Sequence, residues 1–154
     1  MALTLASAAF VEGSRIPARF TCQGSDISPA LSWSGAPRET HSLAVIVEDP
    51  DAPGGVFTHW LIFNLPASVA SLPEGASPRG RRPAGSVEGR NDFGEVGYSG
   101  PCPPPGRTHR YYFKVYALSG VLELKSGAGR AQFLDAIKPV ILAESQVMGT
   151  YQRA

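Results

Sequence analysis

Ser42-Leu43-Ala44-Val45-Ile46-Val47-Glu48-Asp49-Pro50-Asp51-Ala52-Pro53-Gly54-Gly55 and, just beyond it, Thr58-His59-Trp60-Leu61-Ile62-Phe63-Asn64-Leu65 decide the fold. Residues 42–48 form a continuous apolar run rich in β-branched side chains. The run is too short for a helix with two faces and reads as a buried strand. Two prolines and two glycines between Pro50 and Gly55 forbid continuing either helix or ladder. Residues 58–65 read as a second strand, which Pro66 ends.

A third strand follows from His109-Arg110-Tyr111-Tyr112-Phe113-Lys114-Val115-Tyr116-Ala117-Leu118, which has a period of two. His109, Tyr111, Phe113, Val115 and Ala117 share one face, and Arg110, Tyr112, Lys114, Tyr116 and Leu118 the other. Toward the N-terminus, Leu3–Leu5, Ile16–Thr21 and Leu31–Trp33 read as short strands. Residues 66–107 carry little periodicity and hold a basic, breaker-rich loop with Arg79, Arg81 and Arg82, most simply a solvated loop. A stiff proline-rich segment, Gly97–Gly106, leads into the third strand. Apolar spacing predicts a helix over Arg130–Lys138, a second helix opening at Pro139 and running toward Ala143, and a last strand over Val147–Tyr151. With Gly 17 and Pro 14 breaking the chain into short pieces, the expectation is a mainly β fold of seven to nine strands and two short helices.

The chain has 154 residues, a length that predicts one domain, 1–154. Hydrophobic residues at 43% and charged residues at 18% exclude wholesale disorder. Fourteen basic against thirteen acidic side chains, a net +1, argue against a nucleic-acid surface. No apolar run approaches the roughly 20 residues of a membrane helix, so no stable membrane insertion is expected. The opening Met1-Ala2-Leu3-Thr4 lacks the basic and apolar regions of a signal peptide, which predicts a cytoplasmic protein. Cys22 and Cys102 are too few for a disulfide framework and wrongly spaced for zinc. Reduced thiols are expected from the rarity of cytosolic disulfides, with pairing left open because both flank breaker-rich segments.

Three polar groups sit at comparable places on the three main strands. Asp49 ends the first, His59 begins the second, and His109 begins the third. If the first two strands are antiparallel neighbours, Asp49 and His59 meet at one rim, and a third strand of suitable direction brings His109 there. Tyr111 follows on the same face about 6.7 Å further along. Two protonated imidazoles, oriented by a carboxylate and joined by a phenol hydroxyl, make a pocket for a phosphate-like anion. Each of these residues also has an ordinary structural role to fill. A strand histidine is more often a satisfied structural residue, Tyr111 among aromatics is more often core, Asp49 before proline often makes an Asx-turn, and His41 reads as surface. Asp49-x-Asp51 fails as a calcium loop because Pro53 and Trp60 occupy ligand positions. No metal spacing, nucleophile elbow or dinucleotide loop is present, so neither metal nor cofactor nor catalytic residue is expected.

Asp49-Pro50-Asp51-Ala52-Pro53 with His59-Trp60, then Gly100-Pro101-Cys102-Pro103-Pro104 with His109-Arg110-Tyr111, resemble the paired signatures of the phosphatidylethanolamine-binding protein family. The resemblance is to its bacterial and archaeal Raf-kinase-inhibitor-like branch. Phe20-Thr21-Cys22, Ile27-Ser28-Pro29, Leu31-Ser32-Trp33, Gly89-Arg90-Asn91-Asp92-Phe93-Gly94 and the ending from Leu142 to Tyr151 agree with it. It implies a large, mainly antiparallel sheet packed on a smaller one, with short helices near the C-terminus. It further implies a small anion site at Asp49, His59, His109 and Tyr111, walled by Asp51, Ala52, Gly100, Pro101 and Pro103. In that family the site takes phosphate, acetate, cacodylate-like anions or the phosphoethanolamine head group. Animal members carry a double histidine after a tryptophan, where this chain has Thr58-His59-Trp60. The chain also ends at Ala154, without the longer C-terminal helix that borders the pocket in those members, so a more open site is expected.

The resulting expectation is a non-catalytic protein that binds a small anionic or phosphorylated ligand. The alternative is a protein-interaction module that inhibits a serine peptidase or modulates a kinase; a phosphate-ester hydrolase is the third reading. Relatives of this branch often pair, so a homodimer is among the arrangements implied.

Overall fold

Strand β3 (Ser42–Asp49) is buried along all eight residues, and the computed structural model, which describes residues 2–153, shows why its sequence does not alternate. Leu43, Val45 and Val47 face a core shared with a second sheet, while Ala44 and Ile46 face a separate cluster under a helix. A strand covered on both sides needs apolar residues on both. It is the centre of a five-stranded antiparallel sheet with order β6-β4-β3-β7-β8, where β4 is Phe57–Pro66, β6 Val87–Glu88, β7 Thr108–Leu118 and β8 Ile141–Gln152. The smaller sheet has order β1-β2-β5: Thr4–Ala6, Leu31–Ser34 and Ser71–Leu72. The mainly β architecture of a large sheet on a smaller one is therefore as expected.

The two sheets close over a core that includes Leu5, Trp33, Val45, Trp60, Phe113 and Val115. The opposite face of the large sheet is covered by helix α1 (Arg130–Ile137), whose Phe133 and Ile137 pack on Ile46, Phe63 and Leu118. The two faces of β7 fall as its period of two predicts: His109, Tyr111, Phe113, Val115 and Ala117 are buried, whereas Arg110 is exposed.

Four expectations are corrected. Residues 16–21 are not a strand: Ala18–Phe20 form a 3-10 turn after Pro17. The helix expected from Pro139 to Ala143 is a single 3-10 turn over Lys138–Val140, after which the chain is already β8. Ile141 and Leu142 keep 36% and 39% of their surface exposed, so the apolar stripe read as helical is the start of an edge strand. The expected count of two helices falls to one α-helix and two 3-10 turns among the described residues. Finally, Cys22 and Cys102 are not free thiols but a disulfide. Their Cα atoms lie 5.4 Å apart, inside the usual disulfide span of about 4.4–6.8 Å. The expectation rested on compartment, whereas proximity in the fold decides pairing.

No helix among the described residues is long and apolar enough to cross a membrane. His41 is exposed, as read. Arg82 is tied down more than a solvated loop requires, donating to the Ser86 carbonyl and standing 3.6 Å from Glu88.

Candidate functional site

Because β3 lies between β4 and β7, the end of β3 places Asp49 between the other two strand starts. The condition set at the sequence level, antiparallel pairing of β3 with β4, is met, and β7 runs antiparallel to β3 on the other side. One irregularity then matters. Val47 pairs with Trp60 and Glu48 with Thr58, so His59 is the extra residue of a β-bulge. In a regular strand His59 and Trp60 would point to opposite faces. Here Trp60 packs in the inter-sheet core while the His59 ring lies 5.3 Å from that of Tyr111, a member of the same core. A bulge re-aims a side chain in this way beside many functional sites.

His109 Nδ1 lies 2.6 Å from Asp49 Oδ2, and both side chains are about 95% buried. The other carboxylate oxygen of Asp49 accepts the Asp51 N–H at 2.7 Å. That is the Asx-turn expected of Asp49 before proline, and the histidine contact coexists with it. His59 Nδ1 donates to the Ser99 carbonyl at 2.7 Å, and the Ser99 N–H donates back to the His59 carbonyl. Both imidazoles therefore spend Nδ1 on the protein and leave Nε2 free. Burial pushes the His59 pKa below its ordinary 6.5, against the pull of the Ser99 carbonyl and Asp49. Tyr111 is fully buried in the core, and its hydroxyl makes no well-formed hydrogen bond, with the Asp49 carboxylate near enough to act on it. Burial first, and the Asp49 charge second, drive its pKa far above 10.0, so it stays a neutral donor.

These four side chains line one cavity of about 130 Å³. Ala52, Pro53, Cys102, Pro103 and Pro104 form its sides, with Phe57 and Phe93 at the remaining edge. Asp51, Gly100 and Pro101, named as walls from the sequence, do not line the cavity; each is held instead by bonds of its own. Asp51 takes a bidentate grip from Arg110 at 2.8 and 2.9 Å, which holds its pKa at about 2. The Gly100 N–H donates to Asp26 Oδ1 at 2.7 Å, and the Pro101 carbonyl accepts the Cys22 N–H at 3.1 Å. A Cβ on Gly100 would overlap the Phe20 carbonyl oxygen and stand 2.7 Å from Asp26 Oδ1. Gly100→Ala is therefore expected to cost about 1–3 kcal/mol of stability in a urea titration, the usual cost of overpacking. An unchanged midpoint would contradict this close packing.

Pro53, Phe57, Phe93, Cys102 and Pro104 were not assigned to the site from the sequence, although Pro53, Cys102 and Pro104 stand within the paired signatures. Phe93 lies inside the Gly89–Gly94 motif, the one sequence signal that pointed to it. Among the described residues no group of three or more His, Cys, Asp or Glu is placed to hold a metal ion.

A family model described as phosphatidylethanolamine-binding protein matches residues 6–152. The chain belongs to the phosphatidylethanolamine-binding protein family. A UPF0098 protein of Methanothermobacter thermautotrophicus is 50% identical over 151 residues, covering 98% of this chain and 99% of the relative. The crystal structure of a putative phosphatidylethanolamine-binding protein homologue from Chlamydia trachomatis superposes with a TM-score of 0.90 at 44% identity, covering 99% of each chain. That of Escherichia coli YbcL, described as a new member of the mammalian family, does so with a TM-score of 0.95 at 35% identity and full coverage of both chains. Family membership thus rests on nearly the whole chain, as the paired signatures implied.

Proposed function

We propose that this family member is a non-catalytic binding protein whose pocket takes a phosphate or a phosphorylated head group. One observation carries the reading: two imidazoles with Nδ1 already committed, and a buried hydroxyl without a well-formed hydrogen bond, line the same cavity. Such a buried hydroxyl is costly unless something accepts from it. At about 130 Å³ the cavity is well below the roughly 300–1,000 Å³ of drug-sized sites, so its guest is a small head group.

The tautomers set the pH dependence. A neutral imidazole whose Nδ1 carries the proton presents a lone pair at Nε2, which repels an anion. Protonation at Nε2 turns acceptor into charged donor. Asp49, whose carboxylate is engaged by His109 and the Asp51 N–H, orients the ring and does not itself touch the anion. Binding therefore takes up protons, and affinity falls as pH rises. Calorimetry with inorganic phosphate and phosphoethanolamine at about pH 5.5 and 8 tests this, with an expected loss of at least about tenfold at the higher value, the usual scale of a charge-assisted hydrogen bond. Equal affinity at both would reject the mechanism.

The same linkage governs stability. The folded pKa of His59 lies below its unfolded value of 6.5, so its contribution is complete above 6.5 and is lost as pH falls through the folded pKa. The ligand-free protein should melt lower near pH 5 than near pH 7.5, and inorganic phosphate should raise the melting temperature most at the acid end. A phosphate shift that grows with pH would contradict the proposal.

A further inference from the structure

Phe93 keeps 49% of its surface exposed although it lies at the edge of the pocket. Its position is not the accident of a loose loop. Asn91, only 2% exposed, accepts the Phe93 and Glu95 N–H groups on Oδ1 and donates through Nδ2 to the Gly97 carbonyl and Ser99 Oγ. Asp92 exchanges backbone and side-chain bonds with Thr58, two residues before the bulge ends. Gly94, at φ +87°, completes the turn in a conformation that other residues rarely adopt. The loop thus spends a buried, fully engaged asparagine on holding an aromatic ring out over the mouth. That ring packs edge-on against Phe57 at 4.7 Å and His59 at 5.6 Å.

The lining divides by chemistry. All of its ionisable side chains, Asp49, His59, His109 and Tyr111, belong to the anion-binding group. Everything else that lines it is apolar or aromatic, save the sulfur of Cys102 in its disulfide. The outer half therefore offers no carboxylate to an ammonium group and no second cation to a diphosphate. It offers flat, stiff faces: the Phe93 and Phe57 rings and the rings of Pro53, Pro103 and Pro104. A rigid aromatic body loses less conformational freedom there than a flexible chain does.

Resting on the anion-binding reading above, we propose that Phe93 is a specificity-determining residue and that the pocket selects a small aryl phosphomonoester over inorganic phosphate and over a phosphorylated amino alcohol. The probes are inorganic phosphate, phenyl phosphate, butyl phosphate and phosphoethanolamine, titrated calorimetrically into the full chain at about pH 5.5, below the second ionisation of a phosphomonoester. Phenyl phosphate is expected to bind about two- to tenfold tighter than inorganic phosphate, the scale of one aromatic contact, with butyl phosphate and phosphoethanolamine weaker than phenyl phosphate. In Phe93→Ala the ratio of phenyl phosphate to inorganic phosphate affinity should fall toward one. The wild-type series stands without the variant should the variant fold poorly. If inorganic phosphate binds and phenyl phosphate binds no tighter, or if phosphoethanolamine exceeds phenyl phosphate, the aromatic assignment is overturned while the anion site survives. If none of the four binds, both readings fall together.

Discussion

Reducing the Cys22–Cys102 bond is expected to lower the free energy of unfolding by about 4.5 kcal/mol, from the entropy of a loop closed across 80 residues. In a chain of this size that corresponds to a melting temperature roughly 9–18 °C lower. The effect should not be confined to stability. Tyr98, Gly100 and Pro101 remain tied to the 18–26 segment by their own hydrogen bonds: Tyr98 to the Phe20 carbonyl, Gly100 to Asp26, and Pro101 to the Cys22 N–H. Beyond Cys102, Pro104 only closes a local turn by accepting the Arg107 N–H, and the next backbone tie to another part of the described chain is the Gly106 N–H to the Arg153 carbonyl. The disulfide is thus the anchor for Pro103 and Pro104, two walls of the pocket. Urea unfolding of the protein with and without a dithiol reductant, and of a Cys22→Ser/Cys102→Ser double variant, measures the first effect. Phosphate titration of the same samples measures the second, with weaker binding expected after reduction. Coincident unfolding curves would contradict the anchoring role.

Removing the Asp49 carboxylate should do comparable damage by another route. Asp49→Ala leaves the Asp51 N–H and the His109 Nδ1–H without acceptors inside the protein, and each buried donor left unpaired costs about 1–3 kcal/mol. Asp49→Asn separates shape from chemistry. Its amide oxygen can still accept from the Asp51 N–H, but its NH₂ then faces His109 Nδ1. Two donors cannot share that contact, so the imidazole must move its proton to Nε2 when neutral. The variant's neutral ring presents a donor to the anion where the wild type presents a lone pair. The pH dependence of phosphate affinity should therefore flatten in Asp49→Asn, even as stability falls. Calorimetry across about pH 5.5–8 reads the slope, and a slope identical to the wild type would mean that Asp49 does not set the tautomer.

How much of this is legible in the sequence depends on whether the physics is local. β3 could be read because a strand buried on both faces leaves a continuous apolar run, and β7 because its two faces alternate. Their ends, marked by prolines and glycines, brought Asp49, His59 and His109 to one rim on strand direction alone. The bulge at His59 was not legible, since nothing in Thr58-His59-Trp60 distinguishes an extra residue from a regular step, yet it is the bulge that puts both rings on the inner face. The disulfide was not legible either, because an 80-residue separation says nothing of distance in space. Ile141 and Leu142 misled for a third reason: an apolar pair after a helix has the same local pattern whether it continues the helix or starts an edge strand. Phe93 escaped because an exposed aromatic in a Gly-rich loop gains meaning only when its neighbours, here Phe57 and His59, are known.

The central claim is that both imidazoles bind an anion through Nε2 in the protonated state. Nitrogen-15 NMR of histidine-labelled protein at about pH 7.5, titrated with inorganic phosphate, tests it most directly. The account predicts that the Nε2 resonances of His59 and His109 both move from the unprotonated to the protonated position as phosphate saturates, while exposed His41 is unaffected. Nε2 resonances of His59 and His109 that stay unprotonated in a phosphate-saturated sample would contradict it.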